Sequence, residues 1–401
     1  MEHIEREQKA LLSLLGANVF GSSIEYDPDV DWKKVANEAR AQAVFSIAFV
    51  NYKDLPLGEE LSGKVRNKLM AHMVSNTTCH KNHTYLHRLM QENGISYCVI
   101  KGAASASYYP DPILRDMGDV DFYVHPDDVD RAFDVFMRDG FVREFENNPT
   151  HIVLFNQKKH FEMHFKPLGY HEGKIGEILK EYWSDIRECA VLRENELSTF
   201  YAPSAFHHGF IMLTHFQHHL FHEGVGLRHV LDWAVFANSF TNEEFLDIFE
   251  ARLKRVGLFR LAQILSLIVV KHMGMEHRAW MGDDYETADE ILSDILIGGN
   301  FGKKDFRRAY EGLFTCDRDK GNLRRGRIFQ LFSSMNSIID TKWSAAKKFP
   351  LLYPVGWLFF SAKYFFKLLF KKKRLNIFAA YKKSGQRIKK YSKLRVFEPE
   401  K

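Results

Sequence analysis

Residues 115–124 of the chain are RDMGDVDFYV, and this stretch decides the fold that the sequence predicts. Acidic and apolar residues alternate from Asp119 onward, which predicts a β-strand whose residues two apart point to the same face. Asp119 and Asp121 therefore project side by side. Two carboxylates this close repel each other unless water solvates both or a divalent cation lies between them, and such oxygen ligands suit Mg²⁺.

The residues around this strand predict a small mixed β-sheet. An apolar and β-branched run, ISYCVI, ends at Lys101-Gly102, and a short helix follows it. After the acidic strand, residues 126–140 predict an amphipathic helix that Pro126 begins and Gly140 closes. Further strand-like segments lie at 141–146, 151–156 and 159–167. This order of elements predicts a sheet with helices on one face.

A third acid lies in the last of these strands. Glu162 stands between Phe161 and Met163, where solvent has no obvious place. Two aspartates and an acid on a neighbouring strand are the requirement for two-metal phosphoryl or nucleotidyl transfer. Asp119-Val120-Asp121 alone could equally be a solvated turn or strand edge, but the Lys-Gly strand end and the third acid favour a metal site.

Residues 100–141 resemble the core motif of the uncharacterised nucleotidyltransferase family, which belongs to the DNA polymerase beta-like nucleotidyltransferase superfamily. The resemblance is strongest over residues 95–166, and the combination of motifs is specific although no single motif is. The matching residues are Lys101-Gly102, Tyr109-Pro110, Arg115, Gly118-Asp119-Val120-Asp121 and Gly140-Phe141. Glu162-Met163-His164 also fits the family's acid-hydrophobic-His strand, with Glu in place of the more usual Asp.

The resemblance implies transfer of a nucleoside monophosphate from an NTP such as ATP to a hydroxyl acceptor, which could be a small molecule, a sugar or a protein. It implies Mg²⁺ or Mn²⁺ held by the three acids, with Glu162 as ligand, as general base or as both. Lys101, Gly102, Ser105 and Arg115 are the candidates for binding phosphate, and Arg115 has the strongest claim because a guanidinium can hold phosphate oxygens bidentately.

One departure from the superfamily supports an alternative function. Ala103 and Ala104 follow Gly102 where the superfamily has a serine, and the first hydroxyl is that of Ser105. The alternative is a catalytically inactive protein that keeps the fold as a binding or scaffold module. His164 could orient Glu162 or the acceptor, or it could be an ordinary buried or surface histidine.

The order of helices and strands predicts an α+β protein built of helical regions around the sheet. Apolar residues make up 45 % and charged residues 27 % of the 401 residues, as in soluble globular proteins. The four cysteines form no CxxC pair, which argues against a disulfide framework or a cysteine zinc site. The predicted regions are 1–93 (helical), 94–202 (nucleotidyltransferase core), 203–341 (helical domain) and 342–401 (basic, aromatic-rich tail).

A histidine-rich helix follows the core. His215 and His219 stand four residues apart, so they share a helix face and could hold zinc if a third ligand came from elsewhere. The favoured interpretation is that this helix lines the acceptor side of the cleft. Arg228 and Asp232 also stand four residues apart, and they predict either a surface ion pair or, from the family resemblance, a role in the cleft.

Charge is segregated along the chain. Residues 342–401 contain 17 Lys or Arg and two Glu, a net charge of +15, so residues 1–341 carry 5 − 15 = −10. An apolar run at 349–362 precedes further lysines, which favours peripheral association with an anionic membrane surface or a partner; packing on the protein's own helices is the alternative. No secretory signal is evident, so a cytoplasmic location is expected. The basic residues match no nucleic-acid-binding motif.

Overall fold

The computed structural model describes residues 4–144, 150–157, 159–166, 173–305, 307–315, 327–343, 345–370 and 377–400. Every structural statement below concerns these residues. They form a mostly helical protein around a five-stranded sheet and a separate hairpin. The α+β class predicted from the sequence is confirmed.

The five-stranded sheet is mixed, as predicted. Its strand order is β1-β2-β5-β4-β3. Strands β2 and β5 are parallel, and the other neighbours are antiparallel. Asp121 lies directly opposite Glu162 in this parallel pair, so their side chains leave the same face of the sheet. The strands are β1 (Tyr97–Val99), β2 (Val120–Val124), β3 (Val142–Arg143), β4 (His151–Asn156) and β5 (Lys159–His164).

Helices precede and interrupt the sheet. The longest, α4, packs on the sheet through buried side chains that include Cys79, Leu86 and Met90, and it ends just before Gly94, whose φ is +60°. The end of α4 coincides with the end of the helical region 1–93 that the sequence predicted. The helices are α1 (Arg6–Phe20), α2 (Trp32–Ala41), α3 (Phe45–Phe49), α4 (Glu59–Glu92), α5 (Ala103–Ala106) and α6 (Val129–Arg138).

A two-stranded hairpin that the sequence pattern did not predict follows α7 (Gly173–Trp183). Its strands are β6 (Val191–Glu194) and β7 (Thr199–Ala202). All four residues of β6 are exposed, so the strand lacks the apolar alternation that marks a half-buried strand. Strand β7 is anchored through buried Phe200, whose ring lies 5.7 Å from that of His83 on α4.

The rest of the described chain is helical. The first of these helices has Ser204 as its N-cap, and the Ser204 side chain accepts a hydrogen bond from the His207 backbone. A single π-helical turn, Leu246–Glu250, joins α10 to α11. The helices are α8 (Ala205–His222), α9 (Leu227–Asn238), α10 (Asn242–Phe245), α11 (Ala251–Val256), α12 (Phe259–Met273), α13 (Tyr285–Gly298), α14 (Arg308–Thr315), α15 (Arg327–Lys342), α16 (Ala345–Lys348), α17 (Leu352–Phe370) and α18 (Ile377–Ser392).

Two large apolar cores lie on either side of a cleft between the sheet and the helices α8 and α9. One surrounds the sheet and includes Phe122, Phe136 and Phe161. The other joins α1–α3 to helices α8–α13. Helix α1 and the end of α12 approach each other closely there, since a Cβ added at Gly16 would lie 2.3 Å from the backbone oxygen of Met273. The cleft is therefore bounded by the sheet on one side and by helices on the other.

The last helix packs on this helical part of the protein. The Tyr391 hydroxyl of α18 donates to Asp294 Oδ2 at 2.6 Å, and Arg387 donates to the backbone oxygen of Leu220 at 2.9 Å. Arg387 also pairs with buried Glu311 at 3.3 Å. Residues 377–400 are thus part of the folded protein. Across the described ranges, every helix is too short or too polar to cross a bilayer.

Candidate active site

A cavity of about 280 Å³ lies between the sheet and the helices α8 and α9. It collects most of the residues that the sequence singled out. The predicted residues that line it are Lys101, Ser105, Arg115, Asp119, Asp121, Glu162, His215, His219 and Arg228. We call Lys101, Asp119, Asp121, Glu162 and His164 the sheet wall, and His215, His219, Arg228 and His229 the helical wall.

Asp121 is the most firmly held acid of the sheet wall. Lys101 Nζ donates to its Oδ1 at 3.1 Å, and His164 Nε2 lies 3.1 Å from the same oxygen. Burial would raise the pKa of Asp121, but the charge of Lys101 and the hydrogen bond from His164 hold it well below the ordinary value. Asp121 is therefore an ionised carboxylate in a position that solvent barely reaches.

His164 bridges two acids. Its Nε2 lies 3.1 Å from Asp121 Oδ1 and 3.5 Å from Glu162 Oε2. Burial would lower the pKa of His164, but its hydrogen bonds to the two carboxylates raise it above the ordinary value. Burial would likewise raise the pKa of Glu162, and the hydrogen bond from His164 lowers it. The predicted role of His164 in orienting Glu162 matches this geometry.

Asp119 differs from Asp121 because no Lys or Arg among the described residues forms an ion pair with it. His160 Nδ1 lies 3.9 Å from its Oδ2. Burial, followed by the charges of Asp121 and Glu162, raises the pKa of Asp119 to about 6. Two like charges beside a carboxylate are the electrostatic situation that a divalent cation relieves. The acids of the sheet wall therefore fit a metal ion.

Two groups of side chains in the described residues could hold such an ion, with ligand atoms within 4.8 Å of one another. One contains Asp119, His160 and Glu162, and the other contains His151, Glu162 and His164. Glu162 is common to both. Asp121, the third predicted ligand, belongs to neither group. Asp119 and Glu162 are therefore the predicted metal ligands that the geometry brings together most directly.

Arg115 is engaged by a buried carboxylate. Its Nε and Nη2 donate to the two oxygens of Asp232, each at 2.7 Å, and the Tyr109 hydroxyl donates to the same acid at 2.8 Å. Burial would lower the pKa of Arg115, but Asp232 raises it above the ordinary value. Asp232 thus pairs with Arg115 and not with Arg228, the partner that helix spacing suggested.

Arg228 is the cation that the helical wall presents to the cavity. Its Nη1 donates to the backbone oxygen of Asp116 at 2.9 Å, while its buried Nε finds no hydrogen-bond partner among the described residues. Burial, followed by the charge of Arg115, lowers the pKa of Arg228. An anionic ligand would therefore interact more favourably with Arg228 than with Arg115, whose charge Asp232 already balances.

Gly102 and Ser105 lie at the start of α5. Gly102 has φ +58°, and a Cβ there would lie 2.9 Å from His83 Nε2, so only glycine fits the turn. Ser105 Oγ lies 3.1 Å from His208 Nε2 while lining the cavity. Ala103 and Ala104 are buried, which leaves Ser105 as the first hydroxyl beyond the glycine that faces the cavity.

The helical wall is neutral apart from Arg228. His215 Nε2 and His219 Nε2 lie 2.8 Å apart, and burial lowers the pKa of both. His229 and Phe301 were not predicted, yet both line the cavity, and the Phe301 ring lies 4.9 Å from that of His219. Neither metal-compatible group of the described residues includes these histidines, which favours the cleft-lining interpretation over zinc.

A comparison of the sequence with protein-family models gives one family. The model described as "Uncharacterised nucleotidyltransferase" matches residues 28–274, which include the whole five-stranded sheet and both α8 and α9. The matched range therefore covers both walls of the cavity. A search of curated proteins gave no significant match.

Proposed function

The chain belongs to the uncharacterised nucleotidyltransferase family, and on that premise we propose that it transfers a nucleoside monophosphate from an NTP to a hydroxyl acceptor with Mg²⁺ as cofactor. The observation that carries the proposal is the meeting of Asp119, Asp121 and Glu162 in one cavity that Arg228 also lines. Mn²⁺ could replace Mg²⁺, because both ions accept carboxylate oxygens.

Asp119 and Glu162 would hold the metal, with Asp121 completing the set if its contact with Lys101 loosens. When bound, the ion lowers the pKa of the attacking hydroxyl and neutralises charge on the triphosphate. Lys101 and His164 fix the orientation of Asp121, and His164 does the same for Glu162. The lowered pKa of Glu162 suits a ligand that stays ionised better than it suits a proton acceptor.

Arg228 would bind the phosphates, with Lys101 and Ser105 beside it. Its guanidinium lines the cavity without a balancing carboxylate among the described residues, so a phosphate would supply the missing negative charge. Arg115 would act indirectly: its bond to Asp232 holds the start of β2 against α9. We therefore assign the bidentate phosphate contact to Arg228 and not to Arg115, the residue that the sequence favoured.

The acceptor would lie against the helical wall. His215, His219 and His229 are neutral there, because burial lowers their pKa values. A neutral imidazole can accept a hydrogen bond from a hydroxyl group. Phe301 adds an apolar ring at the same end of the cavity. These contacts suit a hydroxyl-bearing molecule, a sugar or a protein side chain.

The direct test is a screen of the purified full-length protein with each common NTP, beginning with ATP, against a panel of hydroxyl-bearing acceptors. Mass spectrometry would detect an acceptor that gains one nucleoside monophosphate, and the protein itself would be examined for the same addition. We expect a Mg²⁺-dependent product that the Asp119→Asn variant does not form. Equal product from wild type and variant would contradict the proposal.

The alternative of an inactive binding or scaffold module has one observation in its favour. Ser105 and Arg115 are already held by His208 and Asp232, so two of the predicted phosphate-binding side chains are occupied. Isothermal titration calorimetry distinguishes the two functions. NTP binding without turnover on any acceptor would favour the binding module.

A further inference from the structure

Helix α17 exposes an apolar face that the proposed reaction does not use. Leu351, just before the helix, is 90 % exposed, and Leu358 is 75 % exposed. Phe349, Val355 and Phe359 are 64 %, 54 % and 50 % exposed. Positions 355, 358 and 359 recur at helical spacing, so they lie on one side of the helix, and Leu351 is exposed at its N-terminal end. Exposed apolar groups that form one contiguous patch mark an interaction surface.

The opposite face of α17 is already packed. Phe360 and Ile339 of α15 are buried together with Ala346 of α16. Gly356 allows this close approach, because a Cβ there would lie 2.6 Å from Ile339 Cδ1. The helix is therefore apolar on both sides, and only one side has a partner within the described chain.

Polar contacts fix which face is turned outward. The Tyr353 hydroxyl donates to Asp340 Oδ1 at 2.6 Å, and Trp357 Nε1 donates to Asn336 Oδ1 at 2.8 Å. Both partners are on α15. A rotation of α17 that buried Leu358 would break these two hydrogen bonds, so the outward face is a fixed feature of the helical hairpin that α15 and α17 form.

The sequence around the outward face is strongly basic. Residues 342–374 contain nine Lys or Arg and no Asp or Glu. Of these, Lys348 and Lys363 are exposed at the two ends of the apolar patch. The run KKKR at 371–374 lies outside the described residues.

We propose that the outward face of α17, with its flanking lysines, docks on an anionic lipid bilayer. Apolar side chains between cationic ones match the boundary between acyl chains and anionic headgroups. No described helix is long and apolar enough to cross a bilayer, so α17 lies along the surface. Residues 1–341 carry a net charge of −10, which an anionic surface repels. The membrane should therefore contact α17 and not the acidic part of the protein that precedes it in the sequence.

The test is cosedimentation of the full-length protein with vesicles of phosphatidylcholine containing about 30 % phosphatidylserine, and with vesicles of phosphatidylcholine alone. We expect binding to the anionic vesicles to be at least about tenfold tighter than to the neutral ones. The double variant Leu351→Glu/Leu358→Glu should weaken binding to the anionic vesicles by about tenfold or more.

The matched control is Met70→Glu/Val74→Glu on α4, whose native side chains are 60 % and 68 % exposed. It adds the same charge to another exposed apolar position, so its vesicle binding should match that of the wild type. Circular dichroism would verify that each variant is folded. Absence of wild-type binding, or equal loss in both double variants, would overturn the proposal. Light scattering that shows a dimer dissociated by Leu351→Glu/Leu358→Glu, without vesicle binding, would assign the face to a second copy and overturn it too.

Discussion

The sheet wall and the helical wall of the cavity both contain buried titratable side chains. Asp121 of the sheet wall is ionised, whereas the histidines of the helical wall are neutral. On the sheet, Lys101 and His164 keep Asp121 ionised. On the helices, burial lowers the pKa of His215, His219 and His229, so they are neutral. The difference shows that burial alone does not determine ionisation; a buried charge persists where an opposite charge lies beside it.

This contrast suggests a division of labour within the proposed reaction. The wall that retains carboxylates is suited to a metal ion, and the wall of neutral rings is suited to a hydroxyl-bearing substrate. Arg228 and Asp119 are the exceptions on their respective walls, because each carries a charge that its surroundings disfavour. Both charges would be balanced by a metal-bound triphosphate.

Substitution of Asp119 should give the largest effect. Asp119→Asn removes a proposed metal ligand, so we expect transfer to fall by on the order of 10³-fold. The folded pKa of about 6 lies above the ordinary 3.8, so Asp119 lowers the free energy of unfolding as the pH rises from about 3.8 to about 6, and the full loss persists at higher pH. The variant should therefore be at least as stable as wild type near about pH 8, measured by thermal melting in chelator.

The control for this substitution is Asp127→Asn, at a carboxylate beyond the other end of β2 that is almost fully exposed. It should leave transfer unchanged. An Asp119→Asn variant that lost activity because it unfolded, with a clearly lower melting temperature, would contradict the assignment of Asp119 as a disfavoured charge.

Arg115→Ala should have the largest effect on stability. The substitution leaves Asp232 buried without its bidentate partner, and loss of one member of a buried ion pair typically costs about 3–5 kcal/mol. Chemical denaturation would measure the free energy of unfolding. The double variant Arg115→Met/Asp232→Leu removes both charges and should recover much of that loss. An Arg115→Ala variant with wild-type stability but impaired NTP binding would show instead that Arg115 binds the phosphates directly.

Arg228→Met should separate binding from stability. We expect the KM for NTP to rise by about 10- to 100-fold, since a charge-assisted phosphate contact is lost. The free energy of unfolding should hardly fall, because the fold disfavours this buried cation. Steady-state kinetics and denaturation on the same sample would test both statements. An unchanged KM would remove Arg228 from the phosphate site.

The smallest predicted effect concerns pH. Burial lowers the pKa of His208 to about 3, below its ordinary 6.5. Below about pH 6.5 the unfolded chain gains a proton that the folded protein does not, so stability is lost as the pH falls. This histidine alone should contribute about 2 kcal/mol between about pH 7 and pH 5. His208→Gln should flatten the pH dependence of the unfolding free energy by that amount; an unaltered slope would show that the pKa of His208 is the same in the folded and unfolded states.

The sequence could predict the sheet wall because strand geometry is local. Alternation placed Asp119 and Asp121 on one face, and the apolar neighbours of Glu162 placed it in a buried strand. The parallel pairing of β2 with β5 then sets Asp121 opposite Glu162. The strands of the five-stranded sheet, its mixed topology and the family were predictable from the sequence, whereas the β6–β7 hairpin was not.

The partners of the other cavity residues were not predictable in this way. Arg115 and Asp232 are 117 positions apart, so no periodic pattern relates them. Phe301 adopts φ +53°, an unusual conformation for an aromatic residue, and it comes to the cavity from a short turn after α13. Helix spacing suggested Arg228 as the partner of Asp232, but the tertiary contact of α9 with the segment before β2 determined the actual pairing.

The central claim is that Asp119 and Glu162 share a divalent cation in this cavity, and Mn²⁺ binding tests it most directly. Electron paramagnetic resonance would follow Mn²⁺ titrated into the full-length protein with a non-hydrolysable NTP analogue. We predict that Glu162→Gln weakens Mn²⁺ binding by about 10- to 100-fold while the fold is retained. Wild-type Mn²⁺ affinity in the folded Glu162→Gln variant would contradict the account.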